Sequence, residues 1–302
     1  MLKGLVITPP VLGRISIGKV VEKAGKRLPE KDDQFTITSQ VQVTDGWLPH
    51  PCDEGFRKAQ GGKIRSIPIR LLFNDPDLNF RAEYALFDRR TGRPVCVGNG
   101  ESCKRRTESG VQSLPCPSPE GCTLAQNGAC KPYGRLNVLI GDDDPLGSFV
   151  FRTTGFNSIR TLSARLAYFQ AISGNRLAYL PLELRLRGKS TRQSMGTPIY
   201  YVDLTVRGGV SVEDALMEAK RLEADRQEAG FDQIALETAA RQGFSNGAFE
   251  ESDEEGDAVV EEFYPEMVGS QCDPSVSSEK SAASILADKL EDRVARLGCN
   301  DG

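Results

Sequence analysis

The sign of the charge reverses between Val210 and Ser211. Residues 1 to 210 carry 30 Lys and Arg against 19 Asp and Glu, whereas residues 211 to 302 carry 8 against 23, a division hidden by the formal net charge of -4. Where a core can form is thereby restricted. Residues 245 to 280 are rich in Glu, Asp, Ser and Gly, too polar to offset the entropy of ordering the chain. The expected organisation is a basic body over 1–210, a helical extension over 211–244 and an acidic, largely disordered tail over 245–302. With 39% hydrophobic residues in 302, the body can bury a substantial core. A basic body beside an acidic tail suits a protein that handles nucleic acid, the tail competing with phosphate or recruiting partners. The plainer alternative is a solvated surface with a solubilising tail. The apolar run at the start is broken by Pro9 and Pro10 and no window reaches the length of a membrane span, so a cytoplasmic protein is expected.

Within the body, alternation of apolar and polar residues from Ile64 to Val97 predicts strands, with DRRTGRP as a hairpin turn between Phe87 and Val95. GRLNVLIG and GSFVFRTTG are two further strands joined by the acidic turn DDDPL. NSIRTLSARLAYFQAISGN is the main helix: Ile159, Leu162, Leu166 and Phe169 form one stripe, Asn157 or Ser158 caps the start and Gly174 or Asn175 the end. In PLELRLRGKS, Leu182, Leu184 and Leu186 alternate with Glu183, Arg185 and Arg187, a strand with one buried and one wet face, and TPIYYVDLTVRGG follows as its neighbour. SVEDALMEAKRLEADRQEAG is a helix capped by Ser211, and SAASILADKLEDRVARLG is a possible terminal helix with Ile285, Leu286, Leu290, Val294 and Leu297 on its apolar face. The fold class is α+β, a mainly antiparallel sheet with one main packed helix and a Cys-rich loop, residues 96–135, inserted between strands.

That insert carries Cys103, Cys116, Cys122 and Cys130 among Pro115, Pro117, Pro119, Gly121 and Gly128. In a reducing compartment clustered cysteines favour a metal over disulfides, and four thiolates from loops suit tetrahedral, structural zinc. An iron–sulfur cluster is the second choice, and disulfides or plain buried thiols stay open. Cys96 lies between Val95 and Val97 and reads best as a small core residue, although it is placed to substitute for a ligand. Cys272 and Cys299 fall in the acidic tail and read as free thiols. Chemistry elsewhere is sparse. His50 is the single histidine, neighbouring Cys52 on a proline-rich stretch; GxSxG, HExxH and Walker motifs are absent, and Asp142, Asp143 and Asp144 read as a solvated turn rather than a magnesium site. The basic groups Arg89, Arg90 and Arg93 at a hairpin tip, Lys104, Arg105 and Arg106 in the insert, and Arg185, Arg187, Lys189 and Arg192 on a strand and its loop are candidates for phosphate contact. Tyr168, Tyr179, Tyr200 and Tyr201 are candidates for base stacking, or half-buried sheet residues.

The run from CPSPEGCTLAQNGACKPYGRLNVLI through the helix entry at Thr154, Ser158, Ile159 and Leu162 to PLELRLR and TPIYYVDL resembles the recombination directionality factor-like family of phages and integrative elements. The likeness covers roughly residues 1 to 207 and leaves the acidic tail outside. Its best-known members accompany large serine integrases, and other relatives bear the label hydrolase or metal-binding protein. The resemblance implies a non-enzymatic accessory of DNA recombination in a bacterial host cell, which binds a serine integrase on its DNA and biases it toward excision. Such a bias needs only differential contacts with two states of the assembly. Two alternatives are a single-stranded DNA-binding protein with a partner-recruiting tail and a metal-dependent hydrolase.

Overall fold

The computed structural model describes residues 10–23, 26–43, 46–142, 147–190, 192, 195–244, 259 and 263. The terminal helix and most of the acidic tail expected from the sequence, with Asp143 and Asp144, lie outside the described residues.

Alternating apolar residues build most of the strands. In chain order the elements are β1 (Val11–Lys23), β2 (Lys26–Val43), β3 (Gly46–Pro49), α1 (Pro51–Ala59), β4 (Ser66–Arg70), α2 (Pro76–Asn79), β5 (Phe80–Phe87), β6 (Pro94–Gly98), β7 (Ser102–Thr107), β8 (Gly110–Pro115) and α3 (Ser118–Gly121). They continue with β9 (Lys131–Ile140), β10 (Ser148–Thr153), α4 (Phe156–Ser173), β11 (Leu182–Lys189), β12 (Ile199–Val206), α5 (Val212–Glu228) and α6 (Gln233–Phe244). The strands form one large sheet in the order β3-β2-β1-β10-β9-β5-β6-β7-β8. It forks at β9, whose first half pairs with β5 while Leu139 and Ile140 pair with β4, and β4 leads on to β11 and β12. All these pairings are antiparallel except β1 with β10, which run parallel from Val11 opposite Ser148 to Ile15 opposite Phe151. The protein is thus α+β with an antiparallel-dominated sheet.

The main core fills the space between this sheet and α4. Ile159, Leu162, Leu166 and Phe169 are buried at helical spacing against strand residues such as Ile69, Leu136, Phe151 and Leu204. Each such side chain contributes about 2 kcal/mol on burial. Ala215 and Ala219 of α5 are fully buried in the same core. The start of α4 differs from expectation. Gly155 is the N-cap without a side-chain bond, because Asn157 accepts from Lys189 Nζ at 2.7 Å and Ser158 Oγ accepts from Val202 N at 3.1 Å. The helix ends as expected at Gly174, in the left-handed conformation (φ 62°).

Two more expectations are corrected. The outer face of β11 is not wet throughout: Glu183 is buried beside Leu182 and Leu184, where its carboxylate accepts from Arg185 Nε at 2.8 Å and Gly208 N at 3.1 Å. Paired in this way, a carboxylate is tolerated inside. The Cys-rich insert is also less loop-like than its prolines suggest. Its first half is a β-hairpin, β7 and β8, turned at Gly110 (φ 105°) and paired from Ser102 opposite Pro115 to Thr107 opposite Gly110. Cross-strand pairing of SCKRRT with GVQSLP extends the sheet edge; the prolines act only after Leu114.

Candidate functional site

The cysteines are assembled by strand register. Cys96 on β6 faces Arg105 on β7, and Gly98 faces Cys103, so Cys96, Gly98, Cys103 and Arg105 share one face of the sheet. Glycine is required opposite Cys103, since a Cβ at position 98 would lie 2.6 Å from Cys103 Cβ and 2.8 Å from the Ser102 carbonyl oxygen. Cys116 N donates to Glu101 O at 2.8 Å, carrying the β7–β8 ladder one step beyond the hairpin. The chain then turns through α3 and a short 3-10 segment, with Asn127 and Gly128 at positive φ, and returns Cys130 to the start of β9.

The result is a cluster of five neighbouring free thiols, Cys96, Cys103, Cys116, Cys122 and Cys130. Burial pushes Cys103 up to about 11, helped by a hydrogen bond with Cys96 and opposed by the Arg105 guanidinium. Burial likewise pushes Cys130 up to about 11, with Cys96, Cys122, Cys116 and Cys103 all adding to the effect. Among the described residues no group of three or more His, Cys, Asp or Glu stands at ligating geometry. The structure therefore brings Cys103, Cys116, Cys122 and Cys130 together and adds Cys96, which sequence reading placed in the core. The signal for Cys96 was its spacing from Gly98, which puts both on the face that carries Cys103.

The basic residues divide into two regions. Arg89, Arg90 and Arg93 are exposed around the β5–β6 turn, which is held by Asp88 accepting from Arg90 N and Thr91 N. Lys104, Arg105 and Arg106 lie on β7; Arg106 is exposed, while Arg105 turns toward the thiols and hydrogen-bonds Cys96. On β11, Arg185 pairs with Glu183, Arg187 Nε lies 3.3 Å from Asp203 Oδ2, and Lys189 is held by Asn157; Arg192 is exposed in the following loop. Of the tyrosines, Tyr179 is a core residue, Tyr200 and Tyr201 are half-buried on β12, and Tyr168 is exposed on α4.

His50 and Cys52 do converge, with His50 Nδ1 2.9 Å from Cys52 Sγ, but as a helix cap. His50 is the N-cap of α1 and accepts from Cys52 N at 3.3 Å. Burial and the neighbouring Asp53 push the Cys52 thiol up to about 11, and burial lowers His50, the reverse of an activated thiolate–imidazolium pair. Asp142 is not simply solvated: it accepts from Arg70 Nε at 2.5 Å and from both terminal nitrogens of Arg207. A cavity of about 380 Å³ between α2, α4 and α6 contains Asp75, Asp77, Glu237 and Arg241. Asp75 accepts from Arg241 Nη2 at 3.0 Å and Glu237 accepts from Asn74 N at 2.6 Å, so both carboxylates serve as structural acceptors. Among the described residues no helix is long and apolar enough to cross a membrane.

Comparison with curated proteins and with solved structures yields no match. A family model described as Gp3-like, recombination directionality factor-like, matches residues 12–207. The matched segment begins in β1, contains all five clustered cysteines and ends with the last residue of the Asp142 clamp, Arg207, just beyond β12. Spanning well over half of the sequence, this match shows that the chain belongs to the recombination directionality factor-like family.

Proposed function

We propose that this chain is a non-enzymatic accessory of site-specific recombination in a phage or integrative element, acting in the cytoplasm of a bacterial host. It binds a serine integrase on its DNA sites and favours excision over integration. The family match over residues 12–207 is the observation that carries this reading. The exposed cations of the β5–β6 turn and of β7, Arg89, Arg90, Arg93 and Arg106, support contact with phosphate. A few kcal/mol of differential binding to the two assembled states is enough to reverse the favoured direction.

In this reading the cysteine cluster holds structural zinc through Cys103, Cys116, Cys122 and Cys130. What supports it is the chemistry of the donors, soft thiols neighbouring one another on loop and strand ends; a closed all-cysteine set would leave no position for a catalytic water. Zinc binding would ionise these thiols and fix the α3 segment against the β7–β8 hairpin.

The test is recombination in vitro with a serine integrase taken from the same phage or element, on its attachment sites. Adding the protein should promote excision from integrated attachment sites and suppress integration. An integrase whose two reactions are both unchanged, with a protein that ignores duplex DNA at low salt, would sink the proposal. Titration of fluorescent single- and double-stranded oligonucleotides serves as the companion measurement, since a strong single-strand preference would favour a single-stranded DNA-binding protein instead.

A further inference from the structure

A second apolar cluster lies apart from the main core, on the face formed by β5, β6 and β9. Ala85, Phe87, Val97 and Tyr133 line it, and its remaining members are Val259 and Phe263. These two come from the acidic segment, yet Val259 is 1% and Phe263 0% exposed. Both are helical and four residues apart, so they point the same way. The Phe263 ring meets Phe87 edge-on at 4.9 Å and Tyr133 at 5.8 Å. Lys131 Nζ donates to Phe263 O at 3.2 Å and lies 5.4 Å from the ring centroid. Arg81, Glu83 and Arg135 line the same groove, with Arg81 Nη2 3.5 Å from Glu83 Oε2.

The groove belongs to the family-matched body, whereas its occupant lies beyond residue 207, where the match ends. We propose that this groove is a protein-docking site, filled here by the chain's own segment around Val259 and Phe263. Its external partner is a protein segment of the same chemistry: two apolar side chains one helical turn apart, flanked by carboxylates. The neighbours of Val259 and Phe263 in sequence include Glu254, Glu255, Asp257, Glu261 and Glu262, opposite in sign to Arg81, Lys131 and Arg135 at the groove. An amphipathic helix laid in an apolar groove is a general mode of recognition, with rim charges selecting the partner. Fourteen residues, 245 to 258, separate the end of α6 from Val259 in sequence. The proposal does not depend on the recombination reading.

The experiment uses the full chain and a fluorescein-labelled peptide of residues 251–267, followed by anisotropy. Phe263→Ala weakens the resident and should raise the affinity for the peptide about tenfold over the unsubstituted chain, because the tethered competitor is weakened. Adding Ala85→Arg to that variant should abolish binding, as should Phe263→Ala in the peptide itself. Excess single-stranded oligonucleotide should leave the bound peptide in place. Equal affinity for the two chains, or binding to neither, would overturn the proposal and make the segment a fixed part of the fold. Displacement of the peptide by the oligonucleotide would overturn the protein class of the partner. A thermal midpoint for Phe263→Ala close to that of the unsubstituted chain is expected; collapse of the body would likewise show that the segment is core.

Discussion

Asp142 and Arg207 form a bidentate pair, Oδ2 accepting from Nη1 at 2.5 Å and Oδ1 from Nη2 at 3.0 Å. The pair joins the chain just beyond β9 to the end of β12. Arg70 extends it, donating from Nε to Asp142, from Nη1 to Tyr179 O at 2.8 Å and from Nη2 to Glu218 Oε1 of α5 at 2.5 Å. One carboxylate therefore links the two arms of the forked sheet to a helix outside the family-matched segment.

Hydrogen bonds from Arg207 and then Arg70 hold the Asp142 carboxyl down to about 2, from 3.8. A depressed folded value means that the stabilisation is full above the unfolded value and is lost as the pH falls through about 2. The Asp142 side chain is 47% exposed, so solvent screening reduces the pair to about 1 kcal/mol. Asp142→Asn should lower the thermal midpoint by about 2 to 4 °C at neutral pH and flatten the acid limb of stability. Identical pH–stability curves for the two chains between pH 2 and 5 would refute this account.

Gly98→Ala should cost about 2 kcal/mol, since the new methyl meets backbone and Cys103 Cβ on a packed strand pair rather than a movable side-chain end. Gly55→Ala is the control. It lies in α1 with nothing within 4 Å of the added Cβ, and it should stabilise by about 0.5 to 1 kcal/mol. Urea midpoints that move the same way for both variants would mean that strand crowding at position 98 has been misjudged.

For the proposed zinc site, elemental analysis of the purified chain should find one zinc per molecule. Cys116→Ser should lose it and expose the α3 segment to protease. Full metal content in that variant, together with loss in Cys96→Ser, would reassign the ligand to the thiol on β6.

Cys52 should resist alkylation at pH 8 in the folded chain, because burial and Asp53 hold its thiol near 11. His50→Ala should cost about 1 kcal/mol through loss of the α1 cap and leave that resistance largely intact. Mass spectrometry showing Cys52 modified as fast as a free cysteine would contradict the burial assigned to its thiol, and an unchanged midpoint for His50→Ala would contradict the capping role.

Much of this architecture was legible in the sequence. The leucine alternation of β11, the stripe of α4 and the Asp88–Arg93 turn each arise from local patterns, and the structure preserves them. Strand β1 was not legible because its place in the sheet depends on Ser148–Phe151, far along the chain, and β2 and β3 are built outward from it. Asp142 looked like a solvated turn because its partners Arg70 and Arg207 are distant in sequence. The five thiols were only partly legible for the same reason, as Cys96 joins the others through cross-strand register. Val259 and Phe263 sat in a segment whose composition argued against any packed role.

The parallel pairing of β1 with β10 has a consequence for how the chain matures during synthesis. β1 forms a local hairpin with β2, but its other edge meets Ser148–Phe151. A ribosome adding 5–20 residues each second keeps that edge waiting on the order of ten seconds before its partner emerges. In that interval the nascent chain presents an open strand beside a growing sheet, a template for unwanted pairing with other chains. Closure of the sheet is therefore a late event, made only once the middle of the protein has been translated.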